Sequence, residues 1–125
     1  MTFRQTAETG RQGYFGGQAA EDIVARDYTR RHYVVAAQRW RGKAGEIDLI
    51  VRDGEALIFV EVKKSRDFAT ASTRLSRRQM DRICAAATEF VAGEPRGLLT
   101  DMRFDLALVD AHGAVNVMEN AFMEA

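Results

Sequence analysis

The stretch Gly45–Lys64, GEIDLIVRDGEALIFVEVKK, decides how this chain is read. Two short apolar runs, Ile47–Val51 and Ala56–Val62, flank Arg52-Asp53-Gly54-Glu55. Alternation, β-branched content and the central Asp-Gly predict a β-hairpin. Charged side chains interrupt its strands at Glu46, Asp48, Glu61 and Lys63. Residues two apart on a strand share a face, which groups Glu46 with Asp48 and Glu61 with Lys63. Charges on otherwise buried strands are costly unless something pairs with them. A divalent metal and a phosphate would supply that pairing.

Working outward, Tyr33–Trp40 (YVVAAQRW) reads as a strand before the hairpin, and Gln18–Arg31 as a helix before that. Ala20, Ile23, Val24, Asp27 and Tyr28 fall near one stripe of this helix, with Glu21 beside it. The glycines at 10, 13, 16 and 17 read as a helix approach; no strand precedes them, so they are not a dinucleotide fingerprint. Residues 1–11 are polar and expected to fray. Downstream, Ser65–Arg74 shows no period and is expected to be a mobile loop. Met80, Ile83, Cys84, Ala87, Phe90 and Val91 recur at helical spacing. Ser76 is the expected N-cap of that helix, with Gln79 as its capping-box partner, and Gly93 and Pro95 end it. Arg103–Val109 reads as a fourth strand, Val115–Met118 as a short edge strand and residues 119–125 as loose. The order α-β-β-β-α-β predicts one α/β domain spanning residues 1–125, a mixed central sheet flanked by helices.

Composition narrows the class. The 125 residues, 46% hydrophobic and 29% charged, suit one soluble domain. Lys plus Arg equals Asp plus Glu, 18 against 18, so polyanion binding has to come from local clusters. Candidate clusters are Lys43 before the hairpin and Arg74, Arg77, Arg78 and Arg82 at the second helix; their plainer reading is solvated surface. The single cysteine, Cys84, rules out an intrachain disulfide and reads as a core thiol on the apolar face. His32 and His112 lack zinc-ligand spacing. Trp40 and Phe104 read as core or sheet-end residues, and Asp105 as structural. A cytoplasmic protein is expected: the N-terminus lacks a secretory core, and no apolar run nears the roughly 20 residues that cross a bilayer.

Twelve residues separate Asp48 from Glu61, and Lys63 follows two positions later. A tight hairpin sets the two acids side by side, where they repel unless a cation sits between them. Mg²⁺ or Mn²⁺ suits one or two carboxylates with waters and phosphate oxygens, at about 2.1 Å for Mg²⁺; the Val62 carbonyl is a further candidate ligand. Such a metal activates a water and polarises a phosphoryl oxygen, and Lys63 would orient the water or stabilise developing negative charge. The plainer alternative is a structural ion cluster, but buried ion pairs stabilise poorly compared with apolar packing.

Asp48, Glu61 and Lys63 resemble the PD-(D/E)xK signature of restriction endonucleases and Holliday-junction resolvases. The wider string is more specific: Gly45-Glu46-Ile47-Asp48-Leu49-Ile50, Phe59-Val60-Glu61-Val62-Lys63 and Arg103-Phe104-Asp105. It is similar to the YraN family of predicted bacterial endonucleases, related to archaeal Holliday-junction resolvases, over roughly residues 16–109. The resemblance implies a restriction-endonuclease-like fold and metal-dependent hydrolysis of DNA, on branched or structured substrates and often by a homodimer. It implies Asp48 and Glu61 as metal-binding acids, Lys63 as the catalytic lysine and Glu21 as an acid reaching the metal through water. Glu46 matches an acid of less certain role, and Gln79 falls where relatives often carry lysine or glutamine. The proline of the superfamily name is absent, with Ile47 before Asp48, and Ala20-Glu21 replaces a usual Gly-Glu. Two rivals stand beside this reading: a non-catalytic nucleic-acid-binding or adaptor protein that keeps the fold, and an RNA-processing nuclease.

Overall fold

The computed structural model describes residues 17–122; the frayed tail expected at residues 1–11 lies outside them. Helix α1 (Gly17–Arg30) precedes three antiparallel strands, β1 (Val34–Arg41), β2 (Glu46–Asp53) and β3 (Ala56–Lys64). Helices α2 (Phe68–Thr73) and α3 (Arg77–Val91) and a 3₁₀ turn (Gly97–Leu99) carry the chain across to β4 (Met102–Val109), and β5 (Val115–Met118) follows. The five strands form one sheet in chain order; only β3 and β4 run parallel. The α/β architecture and the α-β-β-β-α-β order read from the sequence are those of the protein, with α2 added.

The hairpin sets the register. Asp53 pairs with Ala56, leaving Gly54-Glu55 as a two-residue turn, and Gly54 takes the left-handed φ of 64° such turns require. Leu49, Ile50 and Val51 are consecutive and fully buried, because β2 is covered on both faces. On one face, Ala20, Val24 and Tyr28 of α1 pack against Leu49, Val51, Ile58 and Val60. On the other, Ile83, Ala86, Ala87 and Val91 of α3 pack against Ile47, Ile50, Leu57 and Phe59.

Three expectations need correction. Ser65–Arg74 is not all loop: Asp67 accepts the Thr70 N–H at 2.8 Å and starts α2, whose Ala71 is buried with Leu106 and Leu108. Its shortness hid the period. Cys84 is exposed, because the sheet covers only the narrow stripe through Ile83, Ala86 and Ala87. The C-terminal segment is anchored as far as Phe122, which stacks on Phe104 at 5.2 Å, while the Asn120 N–H donates to Asp105 at 3.1 Å.

Asp105 is fully buried and binds three elements together. It accepts from Tyr28 Oη of α1 at 2.7 Å, from Arg103 Nε and Nη2 at 2.9 and 3.0 Å, and from Asn120. Its structural reading stands on these bonds. Burial, with the Asp105 charge second, pushes the Tyr28 hydroxyl well above its ordinary range, so it remains a donor.

Candidate active site

The site lies where the sheet forks. The β2–β3 ladder ends at Leu49↔Val60, while β1–β2 pairing runs on to Glu46 and β3–β4 pairing to Lys64. The same register, carried one step further, sets Asp48 opposite Glu61. The strands separate there, and the Asp48 side chain fills the gap: its Oδ2 accepts the Val62 N–H at 2.8 Å. A side chain thus satisfies a donor that a continued ladder would have used.

Glu61 points to the α3 face. It is 7% exposed. Its Oε2 accepts from Gln79 Nε2 at 2.8 Å and lies 3.4 Å from Lys63 Nζ. Gln79 is carried there by the start of α3, where Ser76 Oγ accepts the Gln79 N–H at 3.1 Å. Half of the expected capping box therefore forms: the serine caps, but the Gln79 side chain turns to Glu61. Lys63 keeps a fifth of its side chain open to solvent.

Glu21 reaches the same place from α1. The Glu21 and Glu61 carboxyls both act on that of Asp48. Arg39 Nη1 donates to Glu21 Oε1 at 3.1 Å. Arg39 stands opposite Asp48 in the β1–β2 register and takes an uncommon left-handed φ of 48°. No sequence signal points to this role of Arg39: a partner contributed by tertiary packing leaves no spacing signal.

Electrostatics distinguish the three acids from surface carboxylates. Burial, and then repulsion from Glu61, push Asp48 up to about 7. Burial raises Glu61 against the counter-pull of Lys63. Burial raises Glu21 against the Arg39 bond. Among the described residues, no three His, Cys, Asp or Glu side chains close into a ready metal cage. Each acid is drawn aside by its own partner: Glu21 by Arg39, Asp48 by Val62, Glu61 by Gln79 and Lys63. The donor set is still suited to a hard divalent cation, having desolvated carboxylate oxygens that repel when ionised.

The other candidates are spread around this centre. Glu46 is exposed and lies 3.9 Å from Arg41. Val62 meets the site through its N–H. Arg77 and Arg78 precede Gln79 on α3 and Arg82 follows a turn after Arg78; all three are exposed, as are Arg74 and Lys43. Glu89 of α3 accepts the Lys43 N–H at 2.8 Å, so the loop carrying Lys43 is fastened to the same helix. At Gly42 in this loop, a Cβ would overlap Glu89 and the Trp40 ring.

Fold and site together define a small α/β protein with an acid-lined fork in a mixed sheet. Comparison with known proteins says which one. The model of the "Uncharacterised protein family UPF0102" matches residues 20–109. A UPF0102 protein of Cereibacter sphaeroides is 62% identical over 114 residues, covering 91% of this chain and 97% of the relative. One from Ruegeria pomeroyi is 56% identical over 116 residues, covering 93% and 94%. One from Dinoroseobacter shibae is 45% identical over 114 residues, covering 91% and 85%. The chain belongs to the UPF0102 family, the YraN family to which its sequence string points.

Proposed function

We propose that this protein is a metal-dependent nuclease that hydrolyses phosphodiester bonds in DNA, with branched or otherwise structured strands as substrate. The observation that carries the reading is the Asp48–Glu61 pair: two desolvated carboxylates at the sheet fork, with Lys63 alongside and open to solvent. A binding module has no use for acids facing a phosphate backbone, because they repel it. Restriction-endonuclease-like architecture belongs to the same reading, as does a cytoplasmic setting; no helix among the described residues is long and apolar enough to cross a membrane.

Asp48 and Glu61 would hold Mg²⁺ or Mn²⁺, with Glu21 acting through water and the Val62 carbonyl as a further ligand. When bound, the ion would supply charge neutralisation and a more acidic water. The chain's own groups do the positioning. Val62 N–H fixes the Asp48 carboxyl, and Gln79 Nε2 fixes Glu61. Lys63 orients the attacking water or stabilises charge developing on the phosphoryl oxygen. Arg77, Arg78, Arg82, Arg74 and Lys43 offer point charges to neighbouring phosphates. Symmetric cutting of two strands calls for two copies, hence a homodimer.

One observation favours a second reading, a non-catalytic nucleic-acid binder: each acid already has a partner within the chain. Cleavage of matched branched, nicked and single-stranded DNA, and of the same shapes in RNA, separates the readings. The nuclease reading expects Mg²⁺-dependent cutting of DNA, with kcat falling about 10²–10³-fold in Lys63→Met. Binding without cutting in any divalent metal would support the binder, and preferential cutting of RNA would replace DNA as substrate.

A further inference from the structure

A cleft of about 380 Å³ opens beside the C-terminal end of β3, lined by Lys64, Ser65, Arg66, Thr70 and Arg74. That volume is within the range of small-molecule sites, ~300–1,000 Å³. Three of the five lining residues are cations and none is an acid. The walls are held by local bonds. Arg74 Nη2 donates to the Lys64 carbonyl at 3.1 Å and ties the end of α2 back to β3. Ser65 Oγ donates to the Asp67 carbonyl at 3.2 Å. The neighbouring acid, Asp67, turns its carboxylate to the Thr70 N–H at 2.8 Å. Among the described residues Lys64, Arg66 and Arg74 take part in no ion pair. Arg66 acts on the adjacent Asp67 carboxylate, which leaves three cations against one nearby acid, a net positive charge that a bound anion would offset.

Phosphate answers this chemistry best: arginine forks match its oxygens, and Ser65 and Thr70 supply hydroxyls beside them. A monoester carries about −1.5 to −2 charges near pH 7, a closer counterpart to three cations than a singly charged internal diester. The placement is equally pointed. Lys64 follows Lys63 directly at the end of β3, so the cleft opens at the same end of the sheet as the candidate cleavage centre, with the two lysines on alternate faces of the strand. We propose that this cleft is a phosphate-binding subsite that takes a phosphate monoester, the terminal phosphate of a nucleic-acid strand lying next to that centre. The strand rests on the nuclease reading; the affinity for phosphate does not.

The test begins with inorganic phosphate titrated into the full chain without metal, followed by amide NMR. Shifts centred on Ser65, Arg66 and Thr70 are expected. Arg66→Ala should weaken binding about 10-fold or more, and Arg66→Lys should recover part of the loss. Equal affinity in Arg66→Ala, or shifts confined to the arginines of α3, overturns the site. A second arm compares oligonucleotides with and without a terminal phosphate, bound to Asp48→Asn. Tighter binding of the phosphorylated strand, abolished by adding Arg66→Ala, supports a strand end as the source. Equal binding of the two overturns that source. Mn²⁺ titration into the wild type and Arg66→Ala keeps the two readings separable. Phosphate binding in a protein that takes no Mn²⁺ would count against the nuclease and for the subsite, whereas intact Mn²⁺ binding with no phosphate affinity would do the reverse.

Discussion

Asp48 carries the largest burden at the scale of single residues. Its ordinary value of 3.8 is raised to about 7, burial being the main cause and Glu61 the second. Between these values the folded, metal-free protein binds more protons than the unfolded chain. The contribution of Asp48 to stability is therefore fully present below about pH 4 and is lost as pH rises toward 7. Thermal melts in chelator across this window should show that fall, amounting to a few kcal/mol at most. Asp48→Asn keeps an acceptor for the Val62 N–H and removes the ionisation, so its melts should be flatter with pH and higher than wild type at neutral pH. Identical pH profiles would mean that Asp48 is not held in this desolvated state.

Gln79 gives a second residue-scale prediction. Gln79→Leu removes the Glu61 donor while leaving the backbone bond to Ser76. Losing that bond to a buried carboxylate should cost about 1.5–3 kcal/mol. The deficit should shrink at acid pH, where Glu61 is protonated and needs the donor less. A loss independent of pH would instead indicate a packing fault in α3.

At the scale of elements, the hairpin was the most legible part because its register is local. The spacing showed the hairpin and the general approach of its acids; the turn is Gly54-Glu55, one residue on from the Asp-Gly of the sequence, and that shift is what sets Asp48 opposite Glu61. The edge strand Val115–Met118 and the first helix were similarly plain, since both have the period or turn chemistry of their type. Helix α2 escaped because six residues cannot display a helical period, and its one signal, Asp67 as cap, sits among other polar residues. Arg39 escaped because a distant segment brings Glu21 to it, and the Lys64–Arg74 cleft because a short stretch with no period folds back on the end of β3. Cys84 was misplaced by a stripe drawn one residue too wide.

The buried Tyr28–Asp105–Arg103 network makes a prediction at this same scale, because it fastens α1 to β4. Asp105→Ala leaves the buried Tyr28 hydroxyl without its partner and Arg103 with only the looser Glu119 contact at 3.6 Å, and should destabilise by about 3–5 kcal/mol. Tyr28→Phe leaves Asp105 its Arg103 and Asn120 donors and should cost only about 1–3 kcal/mol. Denaturant unfolding of both variants checks the order; the reverse order would mean that the hydroxyl, not the ion pair, is the fastening.

For the molecule as a whole, net charge is zero, so long-range attraction of nucleic acid is weak and local arginines carry the contact. The DNA affinity of a cleavage-inactive variant should fall with salt along a shallow log–log line. Arg82→Ala should reduce that slope by about 1 if its guanidinium meets a phosphate. An unchanged slope, read by fluorescence anisotropy, would return α3 to the status of solvated surface. Family membership and the α/β architecture are common to the nuclease and binder readings; what separates them is whether the fork takes up a cation.

Isothermal titration of Mn²⁺ addresses that directly, with wild type, Asp48→Asn and Glu61→Gln compared at neutral pH and low salt. The account predicts saturable binding by the wild type and its loss in both variants, each still folded by thermal melt. Proton release should accompany binding, because the ion displaces the proton that Asp48 partly holds near pH 7. No binding by the wild type, even with DNA present, or equal binding by all three proteins, would contradict the account.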